Sequence, residues 1–278
     1  MRIIQQSLWR KNFNWDDRIA TDDLLDYNAF LEEIETLRSP ILPRHLFKHD
    51  YTQLSLHVFC DASYSAFAAV AYFVYNSTNA DSFDTAFVIG KARVAPLKQH
   101  TITKLELQAA VLGTRIAKFV TKESSLPITE TFFWSDSSTV LQWIRNSHKR
   151  QQIFIANRVS EILETTTIDQ WRHCPGDMNP SDDATRGIPT ASLSEICRWF
   201  IGPYFLTKKP EYWPTNLPKV SPTPTASDEL VDIVSCRAQL KDSNAIPINV
   251  TKFSSWFRLV RITAFVYRAV RIFRNSLK

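Results

Sequence analysis

The spacing of apolar residues changes period several times along the chain, and each change marks a different element. Up to about residue 49, Leu24, Tyr27, Leu31, Ile34 and Leu37 recur near helical spacing with Leu25 and Phe30 beside them, until Pro40 and Pro43 interrupt the pattern. Residues 54–62 and 67–75 are dense in Val, Phe, Ala and Tyr and are joined by a short Asp-Ala-Ser-Tyr-Ser segment. With a third extended run at 87–94 they predict an antiparallel meander. At 103–119 the period becomes helical, with Leu105, Ala109, Leu112, Ile116 and Phe119 on or near one face. A fourth strand at 131–135, helices at 137–146 and 153–163, and a fifth strand at 168–173 follow. A loop bearing Pro180 then leads to a helix at about 193–200. A meander followed by crossovers predicts an α/β fold with a mixed five-stranded sheet and helices packed on both faces.

Beyond this the chain changes character. Residues 203–228 hold six prolines among Ser, Thr and Lys and read as an extended linker. Residues 253–273 interleave apolar side chains with Arg258, Arg261, Arg268 and Arg271, as a basic amphipathic helix does. The expected organisation is a helical segment at 1–50, an α/β domain at 51–190, a helix and Pro-rich linker at 191–248, and the basic helix at 249–278.

Composition narrows the function classes. A hydrophobic content of 44% places the chain among globular proteins rather than disordered ones. Its five glycines form no phosphate-binding cluster of the Walker or dinucleotide kind. The net charge of +5 permits a polyanionic partner without requiring one, and residues 249–278 alone carry seven Lys and Arg and no acid. Cys60, Cys174, Cys197 and Cys236 are too widely spread for a paired-cysteine zinc site. No apolar run marks a signal peptide and none reaches the length of a membrane span, so an intracellular protein, cytoplasmic or nuclear, is expected.

Four acids stand where elements begin or end. Asp61 follows the apolar run His57-Val58-Phe59-Cys60, Glu106 lies near the start of the long helix, and Asp136 ends the strand Phe132-Phe133-Trp134-Ser135. Asp182, with Asp183 as its alternative, falls in Asn179-Pro180-Ser181-Asp182-Asp183 beyond the last strand. Taken singly, each has an ordinary structural explanation: a turn residue, a helix-start acid, an N-cap, a loop acid. Taken together, their order matches what in-line phosphodiester hydrolysis needs. Three or four carboxylates from different elements can hold two Mg²⁺ roughly 4 Å apart, which activate water and neutralise the phosphate. Gathered without metal, such acids repel one another and titrate as a coupled set.

The segments around these acids resemble the ribonuclease H domain of Pao/BEL-type retrotransposon polyproteins. The resemblance is carried by His57-Val58-Phe59-Cys60-Asp61-Ala62-Ser63, Leu105-Glu106-Leu107, Trp134-Ser135-Asp136-Ser137, Trp171-Arg172-His173-Cys174-Pro175-Gly176, Asn179-Pro180-Ser181-Asp182 and Ala184-Thr185-Arg186-Gly187. The flanks agree: Leu8-Trp9-Arg10 with Trp15-Asp16-Asp17 resembles the stretch leading out of the polymerase. Gly202-Pro203 with Phe205-Leu206, and Phe253-Ser254-Ser255-Trp256, resemble the approach to the integrase. The resemblance implies a two-metal nuclease, using Mg²⁺ or Mn²⁺, that cuts the RNA strand of RNA–DNA hybrids during reverse transcription. It implies Asp61, Glu106, Asp136 and Asp182 as catalytic metal ligands, the following Thr185-Arg186 favouring Asp182 over Asp183. Ser63, Lys104, Ser137 and Ser138 are the expected polar neighbours of the substrate backbone, and His173 a candidate for product release or proton handling. The polymerase and integrase regions of the parent polyprotein are the implied partners.

Two rivals stand against this reading. An integrase-type nuclease would place its Glu after both aspartates, whereas Glu106 lies between Asp61 and Asp136. An inactive transposon-derived fragment would act as a non-catalytic nucleic-acid or protein-binding module.

Overall fold

The computed structural model describes residues 2–14, 16–35, 45–77, 83–98, 100–149, 151–194 and 196–214. All belong to the first of two units, Met1–Asp228. The basic helix expected at 249–278, the linker beyond residue 214, and Leu37, Pro40 and Pro43 lie outside the described residues.

The expected meander is present, each strand somewhat longer than its apolar run. Strands β1 (Tyr51–Ala62), β2 (Ala66–Ser77) and β3 (Phe83–Val94) pair antiparallel in sequence order. Helix α3 (Ile102–Glu123) then crosses over to β4 (Glu130–Ser135), which pairs parallel with β1, and β5 (Trp171–His173) pairs parallel with β4. The sheet order is β3-β2-β1-β4-β5. The chain opens with α1 (Arg2–Arg10) and α2 (Thr21–Glu35), where the amphipathic stripe was expected. Leu24, Leu31 and Ile34 of that stripe are exposed.

Alternation along β1 and β2 builds two cores, one on each face of the sheet. Leu54, Leu56, Val58 and Cys60 of β1 meet Ala69, Ala71 and Phe73 of β2 on one face, covered by α3, α4 (Ser138–Arg145) and α5 (Ile153–Leu163). Helix α3 crosses β1 closely at Gly113, where a Cβ would stand 2.4 Å from the Cys60 sulfur. Only a hydrogen fits there.

The opposite face is aromatic. Phe59, Tyr72, Phe132 and Trp134 are covered by Phe205, Leu206 and Trp213, which reach back from the C-terminal side. Residues 203–214, read as the start of an extended linker, are therefore packed on the sheet, in two 3₁₀ turns at Tyr204–Thr207 and Pro210–Tyr212. Pro203 and Pro210 open these turns without preventing burial of Phe205, Leu206 and Trp213. On this face His57 is fully buried: the Trp134 indole N–H donates to its Nδ1 at 3.1 Å, and Ser55 Oγ lies 3.1 Å from its Nε2. Nδ1 thus accepts, so the ring carries its proton on Nε2. Burial, with help from the Arg172 charge, pushes its pKa down to about 3 and keeps the ring neutral.

Two further expectations need correcting. The strand expected at 168–173 is a strand only at Trp171–His173, because Thr167 and Gln170 form a reciprocal capping box that winds Ile168–Gln170 into a 3₁₀ turn. Of the helix expected at about 193–200, one turn is present, α7 (Arg198–Ile201), ended by Gly202 at φ +73°; a 3₁₀ turn at Thr190–Ser192 precedes the expected span. Between α5 and α7, the stretch read as a loop contains α6 (Ser181–Arg186).

Candidate active site

Strand register places the first two acids side by side. Cys60 of β1 is opposite Ser135 of β4 in a parallel ladder, so Asp61 and Asp136 are the next residues on adjacent strands, at the same ends. β1 is also where the sheet switches from antiparallel to parallel pairing, and the carboxyl ends of parallel strands at such a switch leave a crevice between diverging connections.

Each acid is held by its own local structure. Asp61 is 5% exposed and its Oδ2 accepts from Thr185 Oγ1 of α6. Glu106, one turn into α3, is half-buried, and its Oε2 accepts from Ser137 Oγ at 2.6 Å. Asp136 does not cap α4. Ser137 does, its hydroxyl accepting from the Val140 N–H at 3.2 Å, and the single-residue offset leaves the Asp136 carboxylate free of any capping duty. Asp136 Oδ1 is buried with no hydrogen-bond partner. The turn at Gly176–Met178 passes close by, so that a Cβ at Gly176 would lie 3.3 Å from Asp136 Oδ2.

The acidic doublet is divided between two arginines. Arg198 grips Asp183 with two hydrogen bonds, from Nε to Oδ2 at 3.1 Å and from Nη2 to Oδ1 at 2.5 Å. Its Nη1 donates to the Asp177 carbonyl, tying α6, the 176–178 turn and α7 together. A bidentate, partly buried guanidinium–carboxylate pair is a fixed one. Asp182 instead meets the exposed Arg186, whose Nε lies 2.5 Å from its Oδ1.

Electrostatics show that the four acids share one field. Burial first, then the charges of Asp61, Glu106 and Asp182, raise the pKa of Asp136 to about 7. Asp61 is raised by burial and by Asp182, against the Thr185 hydrogen bond. Glu106 is raised by burial and by Asp61, against the Ser137 hydrogen bond. Asp183 does not figure among the charges acting on these three.

Among the described residues, no three Asp, Glu, His or Cys side chains are gathered tightly enough to hold a metal ion as they stand. The donor set nonetheless suits a hard divalent cation. It offers only carboxylate oxygens, one of them buried and unpartnered, and mutual repulsion that a cation would relieve.

The other expected residues are placed as follows. Ser137 and Ser63 engage their hydroxyls within the protein, Ser63 donating to the Thr185 carbonyl at 2.9 Å and accepting from the Ala66 N–H. Ser138 opens α4, and Lys104 lies half-buried two residues before Glu106. His173 ends β5, its Nδ1 buried without a partner and its pKa lowered chiefly by burial. Sequence reasoning missed Asn179. This residue is fully buried, its Nδ2 donating to the Cys60 carbonyl at 3.0 Å and its Oδ1 accepting from the Ser181 N–H. It clamps the start of α6 to the strand end that bears Asp61, and an Asn-Pro before an acidic pair was its only signal.

No helix among the described residues is long and apolar enough to cross a membrane. Cys60, Cys174 and Cys197 are free thiols.

Comparison with known proteins adds the following. No curated protein sequence matches the chain. Among solved structures, RNase H1 from the halophilic archaeon Halobacterium salinarum NRC-1 is similar at 16% identity and TM-score 0.32, over 47% of this chain and 93% of that one. LC11-RNase H1 in complex with an RNA/DNA hybrid is similar at 12% identity and TM-score 0.33, over 50% and 99%. The foamy viral protease-reverse transcriptase is similar at 15% identity and TM-score 0.28, over 62% of this chain and 30% of that one. In sequence, residues 1–137 of the chain match the family model described as the Pao retrotransposon-like RNaseH-like domain, a span that takes in Asp61, Glu106 and Asp136 and stops before Asp182.

Proposed function

We propose that the protein is a metal-dependent endoribonuclease of RNase H type, cutting the RNA strand of RNA–DNA hybrids in retrotransposon reverse transcription. The observation that carries this reading is the pairing of Asp61 and Asp136 on adjacent parallel strand ends, with Glu106 and Asp182 acting on the same field. Asp61, Glu106, Asp136 and Asp182 would hold Mg²⁺, or Mn²⁺ in its place. Bound there, the ions would supply an activated water and neutralise charge on the scissile phosphate.

The rest is done by the chain itself. Thr185 fixes the Asp61 carboxylate and Ser137 fixes Glu106, so both present their second oxygens in set orientations. The Arg198–Asp183 clamp and Asn179 hold α6, the helix that carries Asp182. Asp183 is then a structural member of the doublet and Asp182 the functional one. Ser63, Lys104, Ser137 and Ser138 are the polar groups proposed to meet the substrate backbone, with His173 a candidate for product release or proton handling. The polymerase and integrase regions of a parent polyprotein would be its partners, and an intracellular site its place of action.

One observation favours a non-catalytic hybrid-binding module instead: the acids are not gathered to ligand distance as they stand. Substrate discrimination tests the catalytic reading. With Mg²⁺, the RNA strand of a hybrid is expected to be cut, while duplex DNA of the same sequence is left intact, because the 2′-OH and near-A-form shape select the strand. Equal cutting of both duplexes would contradict the assignment, and binding of the hybrid without cutting would favour the module.

A further inference from the structure

Arg186 is the last residue of α6, and Gly187 at φ +93° turns the chain away behind it. Arg186 pairs with Asp182, its Nε 2.5 Å from Oδ1, across one turn of the helix. The side chain is 73% exposed, against 24% for Asp182, so the cation lies on the solvent side of the carboxylate. Its charge also reaches Asp61, favouring the ionised form there. The charges acting on Asp136 and Glu106 are all carboxylates. Arg198, the other cation beside α6, is committed to Asp183.

Two properties of this arrangement point the same way. An exposed ion pair four residues apart on a short helix is weakly held, so it is easily released. A largely exposed guanidinium released from such a pair presents a fork that matches two phosphate oxygens. We propose that Arg186 exchanges partners. It neutralises Asp182 while the site is free of metal, and moves to a phosphate of the bound nucleic-acid strand once a divalent ion takes that carboxylate. This rests on the nuclease reading above and adds to it a residue that serves both the empty and the loaded site.

The test uses the full 278-residue chain as wild type, Arg186→Ala and Arg186→Lys, with Lys122→Ala, a remote exposed change on α3, as control. Mn²⁺ affinity is read by electron paramagnetic resonance without nucleic acid. Hybrid affinity is read in Ca²⁺ across a salt series. Arg186→Ala is expected to tighten Mn²⁺ binding by about two- to fivefold, the worth of an exposed pair that no longer competes. The same variant is expected to weaken hybrid binding and make its salt dependence shallower by about 0.9 in the log–log slope, because one phosphate fewer is neutralised. Arg186→Lys should keep the slope while losing part of the affinity. If wild type binds Mn²⁺ but Arg186→Ala leaves both its affinity and the salt slope unchanged, the exchange is wrong while the nuclease reading stands. If wild type binds no Mn²⁺ at all, the nuclease reading fails and the exchange falls with it.

Discussion

Asp136→Asn is expected to make the metal-free protein more stable at pH 8 and to abolish its cleavage of RNA. The sign follows from the raised pKa of this group, about 7 in the folded chain against 3.8 ordinarily. Between those values the folded state keeps a proton that the unfolded state has lost. Stability is therefore fully present below about pH 4 and is lost as pH rises through 7. Each pH unit between the two values corresponds to about 1.4 kcal/mol, and since part of the shift comes from neighbouring carboxylates, the penalty at pH 8 is on the order of 2–4 kcal/mol. Asn carries no charge at any pH and its amide can donate to neighbouring carboxylates, so it removes the penalty. Thermal unfolding in EDTA should show the variant melting about 5–15 °C higher at pH 8, and nearly level with wild type at pH 4. Saturating Mg²⁺ should then stabilise wild type by roughly 3 kcal/mol at a hundredfold excess over its dissociation constant, and the variant by much less. A variant that melts lower than wild type at pH 8 in EDTA would show that the acids do not repel as described.

The second large effect concerns residues 203–214. A chain ending at residue 190 is expected not to fold, whereas one ending at residue 214 should fold. Phe205, Leu206 and Trp213 cover Phe59, Tyr72 and Trp134 on the aromatic face of the sheet. Burying each of the three is worth about 1.5–3 kcal/mol, so their loss removes roughly 4.5–9 kcal/mol. That is as large as the whole stability of many domains, about 5–15 kcal/mol. The shorter chain also lacks Arg198, and with it the grip on Asp183. Near-ultraviolet circular dichroism and guanidinium titration distinguish the two. Equal unfolding midpoints for the two chains would refute the role given to this segment.

How much of this could be read in the residues themselves varies with how local the determining interactions are. The meander and α3 were legible because alternation and helical period are properties of a few neighbouring positions. The four acids stood out in the sequence because each lies at the end or start of such an element. Within the doublet Thr185-Arg186 favoured Asp182, but the grip on Asp183 was not legible, since it comes from Arg198, fifteen residues further on. Nor was the freeing of Asp136 from capping, which turns on Ser137 taking the N-cap one residue later. The packed segment at 203–214 was read as linker because its prolines dominate the pattern, while the aromatic face that buries it is built from strands far earlier in the chain. In the same way, the capping box of Thr167 and Gln170 shortened a strand that its apolar flanks suggested.

If Asp61 and its neighbours form a metal-dependent centre for cutting RNA in a hybrid, that chemistry can be seen directly. The measurement follows an end-labelled RNA strand annealed to DNA, incubated with the full chain in Mg²⁺, in EDTA, and in Mg²⁺ with Asp61→Asn. RNA fragments are expected in the first reaction alone. Fragments that persist in EDTA or with Asp61→Asn, or intact RNA from a folded chain that still binds the hybrid, would contradict the assignment.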